Sequence, residues 1–115
     1  MITVLGGNLF QRSIIEKTAL WALRELNLNR FRSLIICIQI KTLSDCDGYC
    51  EKLQDRSFEI GIHRNQTIRD FVMTTLHEMV HVRQYVRKDW SGDGEDEAYD
   101  LQAKMADKLW KENII

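Results

Sequence analysis

The chain contains no proline, so no rigid ring marks the ends of its elements, and glycine and capping side chains must provide the breaks. It has no run of about 18 apolar residues, which excludes a membrane-spanning helix. Its opening, Met1-Ile2-Thr3-Val4-Leu5-Gly6-Gly7, lacks the charged-then-apolar layout of a signal peptide. Cysteine is scarce and odd in number, at three, which argues against a disulfide framework and for a reducing, cytoplasmic setting. Neither sign of charge dominates: 16 basic and 17 acidic side chains leave a net charge of −1, so no global field points to nucleic acid or an anionic membrane. The local clusters Arg24, Arg30, Arg32 and Arg83, Arg87, Lys88 read as solvated helix faces or ends. Linkers, repeats and low-complexity tracts are absent too. What remains is one domain of 115 residues with a single modest core.

Hydrophobic periodicity divides that domain. Ile2–Leu5 reads as a short strand or extended lead-in, ended by Gly6-Gly7. Phe10, Ile14, Ile15, Thr18, Trp21, Ala22 and Leu26 recur at helical spacing and predict a helix over 9–27 that covers a sheet. Leu34 to Ile40 is an apolar, β-branched run of the kind found in central strands, with Cys37 packing as a small hydrophobe. Turn residues at Asp45–Gly48 lead to a strand at Tyr49–Leu53. Gln54-Asp55-Arg56 then turns into Ser57–His63, where strict alternation predicts a half-exposed antiparallel strand. Thr67-Ile68-Arg69-Asp70 resembles a capping box with aspartate in the glutamate position, opening a helix to about Lys88. Gly92 and Gly94 break it, and Asp93 is the expected N-cap of a last helix over 95–113, with Ala98, Leu101, Met105 and Leu109 on one face. The expected fold is α+β: an N-terminal helix on a small, mainly antiparallel sheet of three to four strands, then two helices.

The first of those two helices carries His77-Glu78-Met79-Val80-His81, an H-E-x-x-H motif. Histidines four apart lie one above the other on a helix face, so both imidazoles can share one Zn²⁺. Catalytic zinc takes three protein ligands and leaves a fourth position for water. His63, the remaining histidine, sits upstream at a strand end. The nearer candidates are Glu95, Asp96, Glu97 and Asp100 at the start of the last helix.

With that motif and the following Glu95-Asp96-Glu97-Ala98-Tyr99, the chain resembles the gluzincin metallopeptidases, in which a glutamate on the next helix, often within E-x-x-A, is the third ligand. The resemblance implies that Glu95 completes the site with His77 and His81, with Ala98 as the small residue packed near the active helix. Tyr99 stands where many gluzincins carry Asp or Asn, which leaves Tyr99 or Asp100 as partner of a ligating histidine. Strand residues Gly61-Ile62 ahead of Thr75-Leu76-His77-Glu78, and Gln84 beyond the second histidine, are similar to compact SprT-like and phage-encoded minimal metallopeptidases. SprT-like proteins use a downstream histidine as third ligand, and this chain has none. The resemblance covers roughly residues 33–105. It implies a single zincin-like domain over 1–115 that hydrolyses peptide bonds, with Glu78 as general base. In such a site the metal lowers the pKa of a bound water toward about 7. Glu78 takes its proton and passes it to the leaving amine. Tyr99 or Arg83 is the expected oxyanion donor.

Each residue also has a plainer reading. Glu95, Asp96 and Glu97 are acids in a first helical turn, where they complement the helix dipole. Positions 95 and 97 point about 200° apart, so only one can face a metal, with Glu97 the alternative to Glu95. Asp89-x-Ser91-x-Asp93-Gly94, with Asp100 twelfth, partly matches an EF-hand calcium loop. Cys46 and Cys50 have C-x₃-C spacing, but no second pair follows. A zincin fold that has lost catalysis and serves as an interaction module is the main rival function. For a peptidase, the strand at 57–63 is the expected place for a polypeptide substrate to add as an extra strand.

Overall fold

A computed structural model of the chain describes all residues, Met1–Ile115. The elements run β1 (Ile2–Gly6), α1 (Leu9–Glu25), β2 (Ile35–Lys41), β3 (Gly48–Gln54), β4 (Ser57–His63), α2 (Ile68–Arg87) and α3 (Glu95–Lys111). The class is α+β, with three helices and one four-stranded sheet of order β1-β2-β4-β3.

The sheet is mixed, which corrects the expectation of a mainly antiparallel one. β1 and β2 are parallel because α1 carries the chain back over one face before β2 begins. β4 also lies parallel to β2, with Ile36 opposite Phe58, Ile38 opposite Ile60 and Ile40 opposite Ile62. Only β3 and β4 are antiparallel, joined by the two-residue turn Asp55-Arg56, where Arg56 takes a left-handed conformation (φ 65°). β3 leaves β2 for the outside of the sheet, and β4 folds back between them. Ser57–His63 is therefore an interior strand with both backbone edges already paired. It has no free edge for a substrate strand. The free edges belong to β1 and β3.

Six residues of the register, Ile36, Ile38, Ile40, Phe58, Ile60 and Ile62, turn one face of the sheet into the core. Ile15, Ala19 and Ala22 of α1 and Val72, Leu76, Met79 and Val80 of α2 are buried in the same core. The other face is polar and partly open, with the Tyr49 hydroxyl donating to Glu59 at 2.8 Å and the Lys41 ammonium over the Tyr49 ring. α2 touches both α1 and α3 as well as β3 and β4, which makes it the central post of the fold.

Local chemistry explains most boundaries. α1 opens with a reciprocal capping box: Asn8 accepts from the Gln11 N–H at 2.8 Å and the Gln11 side chain accepts from the Asn8 N–H at 2.9 Å. Its Phe10 is 61% exposed, so that residue does not belong to the buried face the spacing predicts. In α2 only half of the expected box forms, with Thr67 accepting from the Asp70 N–H at 3.1 Å. α2 ends at Lys88, whose left-handed conformation (φ 59°) turns the chain out of the helix. The cap of α3 is Gly94 rather than Asp93, although the Asp93 carboxylate still accepts from the Glu95 N–H at 3.0 Å. Ala98, Met105, Ala106 and Leu109 form the buried face of α3. No helix is long and apolar enough to cross a membrane.

Candidate metal centre

The cleft in front of α2 has a volume of about 790 Å³. Its floor is α2 itself, one wall is β3 with the loop before it, and the other wall is the start of α3. Gly48 shows how closely the first wall approaches: a Cβ there would stand 2.6 Å from Thr74 Cγ2 and 3.1 Å from Glu78 Oε2.

His77 and His81 project from the same face of α2, with Nε2 atoms 3.3 Å apart and rings at 79° to one another. The Glu95 carboxylate spans both: one oxygen lies 3.1 Å from His77 Nε2 and the other 2.8 Å from His81 Nε2. These three are the one group of His, Cys, Asp or Glu side chains in the molecule whose ligand atoms converge at metal-binding range, all within 4.8 Å. His77 is buried, and His81 and Glu95 are half-buried.

The protonation pattern fits a cation. The Gln84 amide nitrogen is committed to two acceptors, the Gly94 carbonyl and Glu97 Oε1, each at 2.9 Å. Its oxygen must therefore face His81 and accept from the Nδ1–H, at 2.8 Å. In the neutral imidazole this puts the lone pair of His81 on Nε2, facing Glu95. His77 Nδ1 lies 2.6 Å from Gln102 Oε1, which acts in the same sense. Two imidazole lone pairs and a carboxylate then converge on one point. A divalent cation satisfies such a donor set, and nitrogen and oxygen donors of this kind suit zinc.

Glu78, beside the first ligand, is only 5% exposed, lines the cleft and has no hydrogen-bond partner. Burial, with a smaller contribution from the Glu95 carboxylate, pushes its pKa up to about 8. Nothing neutralises it from within the protein.

Of Tyr99, Asp100 and Arg83, Tyr99 alone lines the cleft, its ring 4.6 Å from that of His77 and its side chain largely exposed. Arg83 turns aside to Glu97 at 3.7 Å. Asp100 pairs with Lys104 at 3.1 Å on the surface, so neither it nor Tyr99 partners a histidine ring nitrogen. That role falls to Gln84 and Gln102. Glu97 is held by Gln84 and Arg83 and does not reach the histidines, which removes it as third ligand in this geometry. His63 accepts the Leu43 N–H on Nδ1 at 2.9 Å and serves the loop after β2. The calcium-loop alternative has no common centre: Asp89 pairs with Arg87, Asp93 accepts from the Glu95 N–H, Asp100 pairs with Lys104 and Glu95 faces the histidines. Cys37, Cys46 and Cys50 are all free thiols, and Cys46 and Cys50 belong to no converging metal-binding group.

The sequence carries a faint signal for the two glutamines. Gln84 lies three residues past His81, and Gln102 two turns past Glu95, each on the same helix face as its ligand. No family model matches the chain, and no curated protein is significantly similar to it.

Proposed function

We propose that the chain is a small zinc-dependent metallopeptidase of gluzincin type. The observation that carries this reading is the convergence of His77, His81 and Glu95 beside a buried, unpartnered Glu78 on the floor of an open cleft. When bound, zinc supplies the Lewis acidity that activates water and polarises a scissile carbonyl.

The chain's own residues provide the rest. His77 and His81 offer Nε2, and Glu95 an oxygen, as ligands. Glu78 is placed to accept the proton of the attacking water and to return it to the leaving amine. Its raised pKa keeps that exchange close to neutrality, and a cation held by its neighbours favours the ionised form needed in the accepting step. Tyr99, on the α3 wall with its side chain exposed to the cleft, is the available hydroxyl donor for the developing oxyanion.

The place for a substrate strand moves from 57–63 to β3. Its outer edge is unpaired, and Gly48, Tyr49 and Cys50 line the cleft. An extended polypeptide bonded to that edge would lie across the histidines, recognised through its backbone with little demand on its side chains.

The deciding experiment combines metal analysis with cleavage of an unbiased peptide pool. One zinc per chain with hydrolysis abolished by Glu78→Gln supports the reading. Zinc without any hydrolysis, or no metal uptake at all, would end the peptidase reading and favour the interaction-module alternative, in its metal-bound or metal-free form.

A further inference from the structure

Gln84 is the most constrained polar side chain in the molecule outside the proposed ligands and base. It is 3% exposed, and its amide oxygen and both of its N–H donors are engaged. Its oxygen accepts from His81 Nδ1 at 2.8 Å, and its nitrogen donates to the Gly94 carbonyl and to Glu97, both at 2.9 Å. Gly94 immediately precedes Glu95. A Cβ on Gly94 would come within 2.3 Å of Gln84 Oε1, so the turn is built tightly around this one amide.

We infer that Gln84 is the positioning residue of the metal centre, setting two of the three ligands at once: its oxygen fixes the tautomer and ring angle of His81, and its nitrogen pins the turn that delivers Glu95. This rests on the reading of His77, His81 and Glu95 as metal ligands. The chemistry requires an amide. A carboxylate at this position could accept from His81 but could not donate to Gly94, and would stand against the Glu97 carboxylate. An apolar side chain would do neither. His81 would then be free to rotate or to carry its proton on Nε2, where it blocks coordination. Gln102 does for His77 only the first of these tasks, since it makes no bond to the α2–α3 turn.

The test uses the full chain as wild type, Gln84→Met and Gln84→Glu. Zinc affinity is read by competition with a colorimetric chelator, folding by thermal melting, and imidazole N–H protons by ¹⁵N-edited NMR of the zinc-loaded protein. Wild type should show two exchange-protected Nδ1–H signals, from His77 and His81. Gln84→Met should lose the His81 signal alone and bind zinc about 10–100-fold more weakly. Gln84→Glu should keep both signals, since its carboxylate still accepts from His81, yet bind more weakly than wild type because the Gly94 bond is gone. Should Gln84→Met fail to fold, Gln84→Glu decides alone on the same two readings. Unchanged zinc affinity in either variant, or a His81 signal indifferent to Gln84→Met, would overturn the inference. Absence of zinc binding in the wild type would instead remove the metal reading beneath it, so the two failures are distinguishable.

Discussion

Gln102 presents its side-chain oxygen 2.6 Å from His77 Nδ1, one helix holding the ring of a ligand that belongs to another. This contact fixes which nitrogen of His77 faces Glu95. Gln102→Leu keeps the size of the side chain and removes the acceptor. It should lower zinc affinity about 10–100-fold with little change in the melting temperature of the metal-free protein. Chelator competition and thermal melting of the same samples check both halves.

The third ligand is open to a direct comparison. Glu95→Ala removes a carboxylate whose two oxygens lie 3.1 Å from His77 Nε2 and 2.8 Å from His81 Nε2, whereas Glu97→Ala removes only an acceptor for Gln84 and Arg83. Zinc affinity should fall far more for Glu95→Ala. A larger loss at Glu97 would mean that the first turn of α3 rearranges on metal binding.

Glu78→Gln separates chemistry from binding. The substitution keeps the shape of the side chain and lies off the ligand set. Zinc content should be retained while peptide hydrolysis falls by about 10²-fold or more. Zinc lost together with activity would place Glu78 among the ligands.

Gly94→Ala strikes the turn itself. The position has φ 80°, and the added methyl would collide with Gln84. A cost of roughly 1–3 kcal/mol in stability is expected from the backbone strain. Metal affinity should also fall, because relief of the collision displaces the carbonyl to which Gln84 donates. Denaturant melts and chelator competition on one preparation test the pairing. A stability loss with unchanged affinity would show that the turn and the site are independent.

The two cysteines flanking the cleft should differ sharply in reactivity. Cys46 is exposed, while burial, reinforced by the nearby Glu78 charge, pushes the Cys50 thiol far above its usual pKa. The thiolate is the reactive form, so alkylation at neutral to mildly alkaline pH should modify Cys46 and spare Cys50. Rapid labelling of Cys50 in the folded protein would contradict its placement.

How far the sequence reaches is clearest in particular residues. His77 and His81 are brought together by helix geometry alone, whereas Glu95 is legible as their neighbour only through the resemblance to the gluzincins, whose third ligand is a glutamate on the next helix. The 100° per residue of a helix says that only one of Glu95 and Glu97 can face the histidines, and the choice of Glu95 rests on the E-x-x-A register of the gluzincin resemblance. The strand at 57–63 shows the opposite case. Its alternation correctly separates buried Phe58, Ile60 and Ile62 from half-buried Glu59, but alternation reports faces and says nothing about neighbours. That β4 inserts between β2 and β3, parallel to one and antiparallel to the other, depends on pairing between segments that sequence periodicity does not link. Phe10 failed for a related reason, since helical spacing extends a stripe past the point where the core ends. Arg83 and Asp100 were chosen by nearness in sequence, and each is held by an ion pair with another residue, Glu97 or Lys104.

The outermost of the three proposed ligands are only 18 positions apart in sequence. Closing so short a loop costs little entropy even in a chain with no sheet, since that cost grows only with the logarithm of length. An ion held by these residues would therefore keep some affinity for the unfolded protein, and that residual binding would cancel part of the thermal stabilisation that a given affinity would otherwise confer. The β3 wall of the cleft has no such locality to the ligands, because its hairpin with β4 must first pack against α2 before Gly48 comes beside Thr74 and Glu78. Capture of an ion by the proposed ligands and assembly of the groove across it would accordingly be separable events, the first resting on a helical hairpin and the second on the whole chain.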